Sequence, residues 1–197
     1  MRTIRRGLVF LAVSSLLLST GLLVGGCGRD TSELGPASAE STDPVVFSDG
    51  FGAGVTFQAF AGSKTDAVAV DETVSFLGTS SLKITVPDPG GEGTYAGGAF
   101  TTNQVRDLSG YDALIFWAKG SKVATLDVAG LGNDNTGTSK YTAQRSNLSL
   151  TTDWQRFIVP IPLPEKLRVE GGLFFFAEGP EMNQGYTVWM DEIVFAN

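Results

Sequence analysis

The chain contains no histidine, and its 197 residues include a single cysteine. Without imidazole, Ser-His-Asp and Cys-His catalysis, histidine-held zinc and imidazole acid–base chemistry are excluded. Any chemistry falls to carboxylates, lysine, tyrosine or a hard metal. With Cys27 as the one thiol, no disulfide within the chain is available, so folding must rest on a hydrophobic core. Positive charge is scarce: 14 Lys and Arg against 21 Asp and Glu give a net charge of −7. Such a surface is repelled by nucleic acid phosphates and by anionic lipid heads, so no nucleic acid partner is expected. Uninterrupted helical patterning is also missing beyond residue 44, where Gly and Pro break every candidate stretch.

What is present begins with a processing signal. Arg2, Arg5 and Arg6 form a basic start, an apolar run extends from Leu8 to Val24, and the run ends in Val24-Gly25-Gly26-Cys27. Charged start, apolar middle and small residues at the cut are the layout of a secretory signal. A Cys just after the cut resembles the lipobox of bacterial lipoproteins, with Val24 where Leu is usual. The expectation is therefore a signal peptide over 1–26, lipidation at Cys27 and a cell-envelope location, with membrane contact through the anchor only. Two acyl chains suffice for stable anchoring. Loss of Arg2, Arg5 and Arg6 with the signal would carry the charge from −7 to about −10.

Residues 27–44 are polar, small and proline-bearing, and read as a flexible tether. From Val45 to Asn197 short runs of Val, Ile, Phe, Thr and Tyr alternate with Gly, Asn, Asp and Pro. That texture predicts an all-β domain built as a two-sheet antiparallel β-sandwich. Twelve strands are expected, among them 73–76, 113–119, 140–144, 155–161, 173–177 and 187–195. Period-two patterning puts Leu114, Phe116 and Ala118 on one face and Ile115, Trp117 and Lys119 on the other. It groups Phe157, Val159 and Ile161. It also turns Leu173 and Phe175 to the core and leaves Phe174 and Phe176 opposite.

Four large aromatics, Trp117, Phe174, Phe176 and Trp189, are thus expected on faces away from the core. Exposed apolar patches mark binding surfaces. Sugars suit such a surface, because their C–H faces stack on rings while polar side chains bind hydroxyls. Asp127, Asn133, Tyr141, Gln144 and Glu178 are candidate polar partners. The competing reading buries these aromatics in a second core. Asp49 and Asp191, if the first and last strands are neighbours, could share a calcium ion through oxygen ligands, or each could be a solvated turn residue.

VVFSDGF, GTSSLKITV, DLSGYDALIFWAKGS, WQRFIVPIP and GYTVWMDEIVF together resemble the galactose-binding-like jelly rolls, and among them carbohydrate-binding modules of the family 11 type. The resemblance spans Val45 to Asn197. It implies a structural Ca2+ at Asp49 and Asp191. It also implies a glycan site on one concave sheet, taking Trp117, Asp127, Phe174, Phe176 and Trp189. The function expected is non-catalytic binding of a polysaccharide or oligosaccharide. An alternative is a structural or assembly lipoprotein that binds an envelope protein. A third reading, a glycosidase using Asp127 and Glu178, requires the two carboxyls about 5–10 Å apart across the scissile bond.

Overall fold

The computed structural model describes residues 40–133, 137 and 139–197. Cys27, the signal segment 1–26 and residues 27–39 of the tether lie outside the described residues. No helix among the described residues is long and apolar enough to cross a membrane.

The domain is all-β, with eleven strands in two antiparallel sheets among the described residues. The strands are β1 (Val45–Phe47), β2 (Val55–Ala59), β3 (Val68–Asp71), β4 (Ser81–Val86), β5 (Ala96–Arg106), β6 (Ala113–Gly120), β7 (Ala124–Leu131), β8 (Ala143–Leu150), β9 (Gln155–Pro160), β10 (Glu170–Glu178) and β11 (Tyr186–Ala196). One sheet runs β3-β4-β11-β6-β9, with β1 also paired to β11; the other runs β2-β5-β10-β7-β8. The two-sheet sandwich read from the sequence is the architecture found.

Alternation decides the core where the sequence alternates. In β6, Leu114, Phe116 and Ala118 are fully buried and Ile115, Trp117 and Lys119 are not. Val159 and Ile161 are buried, and Phe157 stacks on Phe116 at 5.3 Å between centroids. In β10 the expectation fails. Phe174 and Phe176 are the inward residues, 0% exposed among Phe57, Phe100 and Phe116. A run of three phenylalanines carries no alternation, so its facing is set by register: Phe174 lies opposite Phe100 and Phe176 opposite Gly98.

One expected strand is a loop and a second begins late. Residues 73–76 follow a turn in which the Asp71 carboxylate accepts both the amide and the hydroxyl of Thr73. Side-chain acceptors of this kind compete with ladder pairing. Residues 140–142 lead into β8, which starts at Ala143. The tether is also shorter than expected, since Ser41 bridges to Arg106 and the Asp43 carboxylate caps the amide of Val45.

Arg106 explains that attachment. Its guanidinium is 1% exposed and donates to the carbonyls of Asp43 (2.8 Å), Val45 (2.7 Å) and Ala53 (2.9 Å), with the Asp43 carboxylate 3.5 Å away. Burial lowers its pKa, and Asp43 opposes that shift. A buried charge is tolerable only with such a full set of partners.

Candidate functional site

Trp117 and Trp189 come together on the outward face of the β3-β4-β11-β6-β9 sheet. Registers place Lys83, Trp189 and Lys119 in one row across β4, β11 and β6. Asp191, Trp117 and Arg156 form the next row across β11, β6 and β9. Trp154, just before β9, comes to the same lysine. The Lys119 ammonium stands 5.7 Å from the Trp189 ring centroid and 5.9 Å from that of Trp154. Cation–π attraction at a partly exposed site is worth about 0.5–1 kcal/mol per ring, so Lys119 helps hold both rings. The Trp189 indole N–H donates to the Asp71 carboxylate at 3.0 Å. Bonds from the Thr73 hydroxyl, then this indole and the Thr73 amide, bring the Asp71 pKa down to about 2. Asp71 therefore stays charged at all ordinary pH values and fixes the plane of Trp189.

Trp117 is not open in the same way. Phe76, from the β3–β4 loop, lies flat on it with centroids 3.7 Å apart and planes at 14°. Asp191, fully buried, accepts the amides of Phe76 (2.8 Å) and Leu77 (3.2 Å). From the other end of the loop, Asp49 accepts the amides of Thr79 and Ser80. Between them Gly78 has φ +67°, and the Asp49 carboxylate occupies the place a Cβ would take, so only glycine fits.

Asp49, just after β1, and Asp191, within β11, thus hold opposite ends of one loop and act there as acceptors of N–H groups. The remaining Asp191 oxygen takes the amide of Glu192 at 2.8 Å. A cation prefers carbonyl and carboxylate oxygens that no N–H occupies. Among the described residues, no group of three or more His, Cys, Asp or Glu is placed to hold a metal ion. As arranged, this donor set does not fit a calcium centre. Burial raises the Asp191 pKa and the three amides oppose the rise.

The other candidate residues lie elsewhere. Phe174 and Phe176 are core, so neither ring reaches a ligand. Glu178, 1% exposed, points between the sheets, where its carboxylate accepts the Tyr186 hydroxyl (2.8 Å) and the Asp127 amide (2.6 Å). Burial, only partly offset by those bonds, lifts its pKa to about 7. The Asp127 side chain is exposed and accepts the amide of Gly179 at 3.1 Å. Tyr141 packs against the edge of the core. The single site expected on one sheet is therefore divided between two sheets and the interior. Trp154 and Lys119, which stand together with Trp189, were not among the candidates; Lys119 shares the outward face of Trp117 in the period-two pattern.

The second sheet carries a different outward row. Gln58, Ala99, Phe175, Gly130 and Gln144 are successive cross-strand neighbours. The glutamines at its ends are exposed, while Phe175 is only 2% exposed between small neighbours.

A two-sheet sandwich with partly exposed tryptophans on an outward strand face is the build of a β-sandwich binding module. The family model for carbohydrate binding domain 30 matches residues 43–197, and the chain belongs to that family. The family shown is thus domain 30, where the sequence alone pointed to the family 11 type. Similar solved structures include a family 30 carbohydrate-binding module, 20% identical, with TM-score 0.50 over 80% of this chain and 96% of that one. Another is the family 30 module of the cellulosomal cellulase Cel9D-Cel44B of Clostridium thermocellum, 22% identical, TM-score 0.46, covering 80% and 94%. A third, TmCBM61 in complex with β-1,4-galactotriose, is 14% identical, TM-score 0.48, covering 74% and 90%. Among curated proteins, none matches the chain.

Proposed function

We propose that the domain binds a polysaccharide without cleaving it, and that Trp154 and Trp189 on either side of Lys119 form the stacking surface. Two partly exposed indoles beside one lysine carry this reading. Their spacing is set by strand register and by a shared cation, so the surface needs little ordering when a sugar chain arrives. Lys119, Asp71 and Arg156 bring hydrogen-bonding groups to the same face. The glycosidase alternative loses one of its two carboxyls: Glu178 is enclosed between the sheets, bonded to Tyr186 and out of reach of a glycosidic bond.

The test is retention of the protein on insoluble and gel-embedded glycans, comparing wild type with Trp154→Ala and Trp189→Ala. Loss of retention with an unchanged melting temperature supports the reading. Retention on no glycan, together with crosslinking to one envelope protein through this face, would move the function to protein binding.

A second location has its own support in the Gln58–Gln144 row, whose amides flank a floor of small side chains suited to hydrogen-bonding a flat chain. Retention that survives both tryptophan changes but fails in Gln58→Ala/Gln144→Ala would place the glycan there.

The lipobox-like sequence before Cys27 supports anchoring of the module in the cell envelope. Labelling with radioactive palmitate, present in wild type and absent in Cys27→Ala, is the check.

A further inference from the structure

We propose that a cleft between the β7–β8 loop and the segment entering β10 is an anion subsite for the carboxylates of a uronic-acid polysaccharide. The cleft has a volume of about 530 Å³ and is lined by Gly137, Lys140, Lys166, Arg168 and Val169. This proposal rests on the glycan-binding reading above and specifies the chemistry of the polymer. The protein is acidic overall, with net charge −7, yet the described residues that line this one cleft include three cations. Several cations elsewhere are committed to partners. Lys64 pairs with Asp66, Arg106 is buried on three carbonyls, Lys119 stands between two indoles and Lys122 donates to the Glu181 carbonyl. The ammonium groups of Lys140 and Lys166 have no such hydrogen bond or ion pair among the described residues. Arg168 acts on one carboxylate, Asp107, which is lowered chiefly by the Ser109 hydroxyl and amide and more weakly by this guanidinium.

Size argues against a bare ion as the occupant. Ligand sites for organic molecules span about 300–1,000 Å³, whereas a water-sized species needs about 30 Å³. Val169, half exposed, gives the cleft an apolar wall on which the C–H face of a sugar ring can rest. Position agrees with a chain-like ligand. The cleft adjoins the end of the β2-β5-β10-β7-β8 sheet at which β7 finishes and β8 and β10 begin. Two cations come from the segment before β10 and one from the loop before β8, so charge is spread along the cleft rather than focused on one point.

The experiment is affinity electrophoresis of the purified full chain in nonionic detergent, through gels containing polygalacturonate, a neutral β-glucan or no polymer. Lys140→Gln/Lys166→Gln and the triple variant with Arg168→Gln are run beside wild type, with melting curves as the folding control. Wild type should be retarded by polygalacturonate, with retardation falling as salt rises. The triple variant should lose about tenfold or more in apparent affinity for polygalacturonate while its behaviour on neutral glucan is unchanged. The double variant, which keeps Arg168, should lie between. Equal retardation of wild type and both variants by polygalacturonate overturns the proposal. Retention on the neutral polymer alone also overturns it and leaves the glycan-binding reading standing, whereas retention on neither polymer overturns both. A parallel arm measures inorganic phosphate and anionic phospholipid vesicles. Loss of vesicle binding in the variants, without retention on polygalacturonate, would replace the polysaccharide with a charged surface and likewise overturn the assignment.

Discussion

Phe76 covers the face of Trp117 at 3.7 Å between ring centroids, and Asp191 beneath the same loop holds the Phe76 amide at 2.8 Å. One carboxylate and one ring thus fasten the β3–β4 loop over a tryptophan that strand alternation alone would leave open.

Phe76→Ala should therefore uncover Trp117. The expected result is a red shift of tryptophan emission and a loss of about 1–2 kcal/mol, the scale of an aromatic pair plus its burial. Unchanged emission would show that Phe76 does not shield the indole.

The Glu178–Tyr186 bond joins the two sheets and makes stability depend on pH. The carboxyl pKa is raised from 4.5 to about 7, so the folded state holds its proton more tightly than the unfolded chain does. The resulting stabilisation is complete below about pH 4.5 and is lost as pH rises through about 7. At most it amounts to about 3 kcal/mol. Wild type should melt lower at pH 8 than at pH 5, and Glu178→Gln should flatten that difference. A variant whose melting tracks wild type across this range would remove Glu178 as the cause.

Arg106 secures the start of the domain. Arg106→Met leaves the carbonyls of Asp43, Val45 and Ala53 without their donor, which should cost at least about 3 kcal/mol. In a domain of this size that is a fall of roughly 10 °C in melting temperature. Hydrogen exchange should rise first over residues 41–53, because these lose their attachment before the sheets open.

Calcium separates two roles for Asp49 and Asp191. With both Asp191 oxygens and one Asp49 oxygen given to amides, millimolar calcium and chelator should yield the same melting temperature. Asp191→Asn should loosen the loop and expose residues 72–80 to protease, with a cost of about 2 kcal/mol. A calcium-dependent rise of several degrees, abolished by Asp191→Asn, would instead establish a metal site.

Much of the fold was legible because strand chemistry is local. β6 and β9 announce their inward residues by strict alternation, and eleven of the twelve expected strands overlap observed ones in place. Residues 73–76 misled because Thr, Val and Phe favour strands, while the Asp71 side chain captures the Thr73 amide and turns the chain. The Phe174–Phe176 run misled for a different reason: every residue is apolar, so either facing satisfies the pattern.

The candidate site was legible only in its components. Trp117 and Trp189 were correctly placed on outward faces, but the sequence does not say that Phe76, 41 positions before Trp117, covers one of them. Nor does it bring Trp154 beside Lys119, since that contact depends on how β9 registers against β6. Glu178 was a candidate polar partner, and its distance from solvent is decided by the sheet packed above it.

By itself the sequence determined the strand-rich chemistry, the absence of imidazole and disulfide, and the acidic surface, since each follows from residue type or from a period of two along the chain. Tertiary structure decided which tryptophan is covered, which carboxylate is buried and which lysines share a cleft. Those outcomes depend on the register between strands and on loop attachments that join residues more than 100 positions apart.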